Sequence, residues 1–156
     1  MKIMFPILLI FLITNCTNSK DNSMSSKNEA KQVKQDSGYA QVNGLKMYYE
    51  IHGDGTPLVL IHGGGSTIQT SFSKILPLLA HHYKVIAVEL QAHGHTSDRD
   101  SAESFEQDAN DVAALLSYLK INKAHFLGFS NGGHTAIQIG INHPEIVNKL
   151  IIISAF

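Results

Sequence analysis

Lys123-Ala124-His125-Phe126-Leu127-Gly128-Phe129-Ser130-Asn131-Gly132-Gly133-His134 is the stretch from which the rest of the chain is read. Lys123 to Leu127 reads as a short buried strand. Gly133 to Ile141 reads as a helix of small residues, closed by Asn142-His143-Pro144. Between them stands Ser130, with Gly128 and Gly132 two positions to either side. A turn this sharp leaves no room for a Cβ at 128 or 132 and forces Ser130 into a strained backbone conformation. Such strain lifts the serine hydroxyl clear of the sheet and sets the Asn131 N–H at the positive end of a helix, where it can face an oxyanion. The plainer reading of the same five residues is a glycine-rich turn whose serine caps the following helix.

Working towards the N-terminus, Leu58-Val59-Leu60-Ile61 is a continuous apolar run, as expected for a strand covered on both faces. It enters His62-Gly63-Gly64-Gly65-Ser66, whose bare backbone N–H groups a substrate can approach closely. The Gly64 N–H is the better donor for an oxyanion and the Gly65 N–H the alternative. A phosphate loop fits less well, because no Lys-Ser or Lys-Thr pair follows the glycines. Phe72, Ile75, Leu76 and Leu79 give Gln69 to His82 a helical spacing, with a kink expected at Pro77. Lys84 to Leu90 reads as the next buried strand, followed by the loop Gln91 to Asp98. Glu103 to Leu119 reads as an amphipathic helix with Ser104 as its cap, and Val147 to Phe156 as a further buried strand. Ahead of all these, Tyr39–Val42 and Leu45–His52 flank Asn43-Gly44, a two-residue hairpin signal.

A hairpin followed by repeated strand–helix units predicts an α/β fold: an N-terminal antiparallel hairpin, then a mainly parallel sheet with helices on both faces. Ligands of such sheets bind at the carboxyl ends of the strands, where the glycine loop, the 91–98 loop and Ser130 all fall. The histidine pairs His81-His82 and His93/His95 lack a third ligand at a useful spacing, so neither a metal nor another cofactor is expected.

Composition bounds the partners. In 156 residues the formal net charge is −1 with no basic stripe, which gives no case for nucleic acid. The single cysteine excludes an internal disulfide. Lys2 followed by the apolar run Ile3 to Ile13 has signal-peptide length. It ends at Ile13-Thr14-Asn15-Cys16, which resembles the lipobox of bacterial lipoproteins, with Asn15 standing where a smaller residue is usual. The resemblance implies lipidation of Cys16, a membrane anchor there and an extracytoplasmic location. The expected organisation is a signal peptide at 1–16, a polar flexible tether at 17–37 and a folded domain at 38–156.

Three motifs in order, His62-Gly63-Gly64-Gly65-Ser66, Val88 to Asp98 and Gly128-Phe129-Ser130-Asn131-Gly132-Gly133, resemble the α/β-hydrolase superfamily. Glu89 and Ala92 depart modestly from the second motif, which usually reads Asp-x-x-Gly-x-Gly-x-Ser. The resemblance implies that Ser130 is a nucleophile in a nucleophile elbow and that Gly64 and Asn131 form an oxyanion hole. The substrate would be a small-molecule carboxylic ester or related acyl compound, attacked to give an acyl-enzyme. Ser130 in place of an aspartate argues against the dehalogenase and epoxide-hydrolase types. In the family the catalytic acid and histidine follow the serine in chain order. Neither is expected within these residues, and His62, His93 and His134 read as structural. The expectation is therefore a truncated, nearly inactive hydrolase. The alternative is a catalytically dead hydrolase-like lipoprotein with a binding or structural role.

Overall fold

The computed structural model describes residues 35–155. Cys16, the signal-peptide reading and nearly all of the tether lie outside the described residues. Six strands form one sheet: β1 (Gln35–Val42), β2 (Leu45–His52), β3 (Thr56–Ile61), β4 (Tyr83–Val88), β5 (Ala124–Phe129) and β6 (Val147–Ile153). Their spatial order is β1-β2-β4-β3-β5-β6. The pairs β1·β2 and β2·β4 are antiparallel, whereas β4·β3, β3·β5 and β5·β6 are parallel. The expected hairpin-plus-parallel-sheet architecture is the one found.

The hairpin closes on a two-residue turn with φ of 47° at Asn43 and 80° at Gly44. Both central residues are left-handed, which matches the twist of the flanking strands. β1 begins at Gln35 rather than at Tyr39, since Gln35, Asp36 and Ser37 continue the ladder opposite His52, Ile51 and Glu50. Exposed polar side chains on an edge strand leave no alternation to reveal those residues in the sequence.

Four helices cover the sheet: α1 (Ile68–Phe72), α2 (Leu76–Ala80), α3 (Phe105–Tyr118) and α4 (Asn131–Asn142). Successive side chains of a strand point to opposite faces. Thus Val59, Ile61, Ile86 and Val88 join Val112, Leu115, Ala136 and Ile139 in a core under α3 and α4. Leu58, Leu60, Val85 and Ala87 join Ile68, Phe72 and Leu76 in a second core under α1 and α2. That is why the strand sequences are unbroken apolar runs.

One expectation needs correction. The stretch 69–82 is not one kinked helix but two short ones. Thr67 caps the first through a reciprocal capping box with Thr70, and Pro77 stands in the first turn of the second, where its missing N–H costs nothing. Among the described residues β6 lies at the sheet edge, with Leu150 to Ile153 between 37% and 42% exposed. By contrast, Ser104 caps α3 as expected, accepting from the Gln107 N–H.

Candidate active site

Parallel strands aligned in register deliver their carboxyl ends to one place. Ile61 at the end of β3 sits opposite Gly128 of β5, and Phe129 opposite Ile153 of β6. Ser130 follows with φ 53° and ψ −119°, a conformation that costs an L-residue on the order of 1–3 kcal/mol. The surroundings over-determine it. The Ser130 N–H donates to the Ile153 carbonyl at 2.8 Å, and the Ser130 carbonyl accepts from Gly133 at 2.8 Å and from His134 at 3.3 Å. A Cβ on Gly128 would run into the Gly132 carbonyl, and one on Gly132 into the carbonyls of Ile61 and His62. Gly128 and Gly132 therefore let α4 start directly behind the sheet, beginning at Asn131 rather than Gly133.

The glycine loop packs against this turn. A Cβ on Gly63 would lie 3.3 Å from Ser130 Cβ, and one on Gly64 would overlap the Asn131 side-chain amide. Gly63 is buried, whereas Gly64 and Asn131 are exposed. Among the described residues neither the Gly64 N–H nor the Asn131 N–H has a protein acceptor. The Gly65 N–H is different, because it donates to His93 Nε2 at 3.0 Å. The alternative oxyanion donor is thus already engaged.

His62 is fully buried, with Nδ1 donating to the Gly63 carbonyl at 2.8 Å and Nε2 accepting from the Leu90 N–H at 3.1 Å. Burial pushes its pKa below the ordinary histidine value, so it is a neutral brace between β3 and the end of β4. His93 Nδ1 donates to the Gln91 carbonyl at 2.7 Å. The His134 ring stacks on Phe105 with centroids 4.9 Å apart.

Below the 91–98 loop, the buried Glu89 carboxylate accepts from the His95 N–H at 2.5 Å and from the Ile68 N–H at 3.4 Å. It contacts His95 Nδ1 at 3.0 Å. Gly94 passes so close to this carboxylate that a side chain there would displace it. Ala92, in the position where a glycine is usual, has φ 58°. A second network ties the loop to α3 and the hairpin. Buried Asp111 pairs with Arg99 and accepts from Asn43 Nδ2 at 2.9 Å, while Arg99 Nε donates to Gln91 Oε1 at 2.7 Å.

Beside the turn opens a cleft of about 370 Å³, lined by Gly64, Leu90, His93, Glu103, Phe105, Asp108 and Asn131 among others. Asp108 is the unexpected member. Its pKa is pushed up to about 6, first by burial and then by the carboxylates of Asp111 and Glu103. A raised carboxyl in a cleft is a common mark of a functional site. Sequence reading missed it, because an acid in the first turn of a helix is explained equally well by the helix dipole.

The model of the alpha/beta hydrolase fold family matches residues 56–156, with both the strained Ser130 turn and the glycine loop inside the match. The chain belongs to the α/β-hydrolase family. It is 29% identical over 143 residues to the 2-hydroxy-6-oxo-6-(2'-aminophenyl)hexa-2,4-dienoic acid hydrolase of Metapseudomonas resinovorans, an alignment covering 88% of this chain and 47% of that protein. It is 36% identical over 117 residues to the human serine hydrolase BPHL, covering 71% of this chain and 40% of the relative. The solved structure of Est816, an N-acyl homoserine lactone degrading enzyme, superposes with a TM-score of 0.70 at 31% identity, covering 75% of this chain and 45% of that one. This α/β-hydrolase chain spans less than half the length of each of these proteins.

Proposed function

We propose that this α/β-hydrolase chain carries the nucleophile of a serine hydrolase that cleaves a carboxylic ester or a related acyl bond through an acyl-enzyme. One observation carries the reading. A serine is held at φ 53° on a turn that only glycines can flank, at the start of α4 and against an exposed glycine loop. A cap does not require that strain, and the Ser130 side chain makes no capping bond. In the reaction Ser130 Oγ forms a bond to the acyl carbon, its proton passes to a base, and the carbonyl electrons collect on an oxyanion. The N–H groups of Asn131 and Gly64 stabilise that oxyanion. Collapse expels the alcohol, which takes up the proton, and water then releases the acid from Ser130.

The base is not one of the described histidines near the turn. His62 and His93 spend both ring nitrogens elsewhere, and the His134 ring lies on Phe105. In this fold the acid and the histidine follow the serine in chain order. Loss of the base from such a triad costs about 10⁶ in kcat and leaves roughly 10³–10⁴-fold catalysis over water from the oxyanion hole and binding. One relative is named a hydrolase of a substituted hexadienoic acid and one structural neighbour a lactone-degrading enzyme, so the reading stops at the acyl bond. Ile13-Thr14-Asn15-Cys16 after an apolar run supports a lipid anchor at Cys16 and an extracytoplasmic location.

The test is fluorophosphonate labelling and short-chain aryl ester turnover of the protein expressed from its own gene. Both should vanish in Ser130→Ala; labelling that persists refutes the nucleophile. Cys16→Ser should abolish incorporation of radiolabelled fatty acid, and label retained in that variant refutes the anchor.

A further inference from the structure

We infer that His93 is a positioning residue that fixes which way the peptide planes of the glycine loop face, and so which N–H meets the oxyanion; the inference rests on the catalytic reading above. Gly63, Gly64 and Gly65 have almost no intrinsic backbone preference, so hydrogen bonds must set their orientation. A trans peptide is planar, with its N–H and C=O pointing in opposite directions. The Gly63 carbonyl accepts from His62 Nδ1 at 2.8 Å and from Ser66 Oγ at 2.7 Å. That turns the Gly64 N–H, in the same plane, to the other side, and Gly64 lines the cleft. Among the described residues the next plane has one anchor, the Gly65 N–H donating to His93 Nε2 at 3.0 Å.

The imidazole can play this part in one tautomer only. The Gly65 N–H can only donate, so Nε2 must present its lone pair. The proton is then on Nδ1, where the Gln91 carbonyl accepts it at 2.7 Å. Every atom of the chain Gln91–His93–Gly65 has one role, and the ring is braced against His62 with centroids 4.9 Å apart. The same assignment removes His93 from acid–base chemistry and removes Gly65 as a competing oxyanion donor. Protonated His93 would set an N–H against the Gly65 N–H, and the Gly64–Gly65 peptide would be free to turn its carbonyl to the ring. The titratable groups that face His93 are His62 from the end of β3, and Asp108 and Glu103 from α3 and its approach.

The experiment uses the protein expressed from its own gene, labelled with ¹⁵N, with the Gly65 amide followed by hydrogen exchange and aryl ester turnover measured in parallel. His93→Leu should raise Gly65 exchange about tenfold, as expected for one lost hydrogen bond. It should also lower kcat about 100-fold with KM within about twofold, since the loss falls on a transition-state contact. His93→Gln supplies an acceptor of similar reach. It should restore most of kcat and most of the Gly65 protection. Unchanged Gly65 exchange in His93→Leu overturns the inference, as does an unchanged kcat or a loss confined to KM. If His93→Leu fails to fold, His93→Phe takes its place, and unchanged Gly65 exchange in that variant overturns the inference. Gly65 exchange is read without substrate, so activity surviving Ser130→Ala would refute the catalytic reading while the anchoring of Gly65 is still decided.

Discussion

Asp108→Asn should make the protein more stable at neutral pH and should do nothing at pH 4. In the folded protein Asp108 keeps its proton up to about pH 6, against 3.8 for an ordinary aspartate, because burial and the neighbouring Asp111 and Glu103 oppose its charge. The folded state therefore binds more protons than the unfolded one between those values, and stability falls as pH rises through that window. At about 1.4 kcal/mol per pH unit the cost is roughly 3 kcal/mol, and about 2 kcal/mol once partial exposure is discounted. Asparagine imitates the protonated acid in size and never ionises. Urea unfolding at pH 4, 5, 6 and 7 should give curves that coincide at the acid end and diverge to about 2 kcal/mol in favour of the variant at pH 7. The difference between the two proteins is the quantity to follow, since it removes every other titrating group. A difference that stays flat from pH 4 to 7, or a variant no more stable at pH 7, would refute the reasoning. The position of Asp108 on the cleft wall gives the cost a meaning, because a carboxyl maintained at the expense of stability marks a functional surface.

Two further substitutions probe the loop beneath the site. Ala92→Gly should stabilise by about 0.5–1 kcal/mol: φ 58° costs alanine roughly 1–2 kcal/mol, of which the added unfolded-state entropy of glycine returns only part. An unchanged or lower urea midpoint at constant m would contradict this. Arg99→Leu should cost about 3–5 kcal/mol, because it leaves the fully buried Asp111 carboxylate without its cation. A double-mutant cycle with Asp111→Asn should show strong coupling, and additive losses would show that the pair does not act as one unit.

How much of this was legible in the sequence follows from how local each cause is. Gly128 and Gly132 are demanded by contacts within five residues and with the adjacent strand, so the turn announces itself. The runs Leu58–Ile61 and Val85–Val88 are apolar at every position because both faces are covered, so the parallel sheet is equally plain. Pro77 shows the limit, since proline in a first helical turn suits a fresh helix as well as a bend. His93 and Asp108 were illegible for a second reason. The bond that fixes His93 spans 28 residues of chain, and the first cause that raises Asp108 is burial, which only the tertiary packing supplies.

The departures from local preference are not scattered. Of the non-glycine residues with positive φ, Asn43 serves the hairpin turn and Lys120 follows the end of α3, where a left-handed residue commonly ends a helix. The other three, Ala92, Ser130 and Ser154, lie just beyond β4, β5 and β6, all at the carboxyl end of the parallel sheet. Asp108, the carboxyl held against its charge, lines the cleft beside one of them. A fold shaped by stability alone would not gather its strained residues and its raised acid at one end of one sheet. Their concentration there, over a core whose strands carry no such strain, is what a site maintained for chemistry looks like. Relaxing the features that are not themselves reacting groups should therefore raise stability, and only Ser130 and the groups that orient its oxyanion donors should take activity with them.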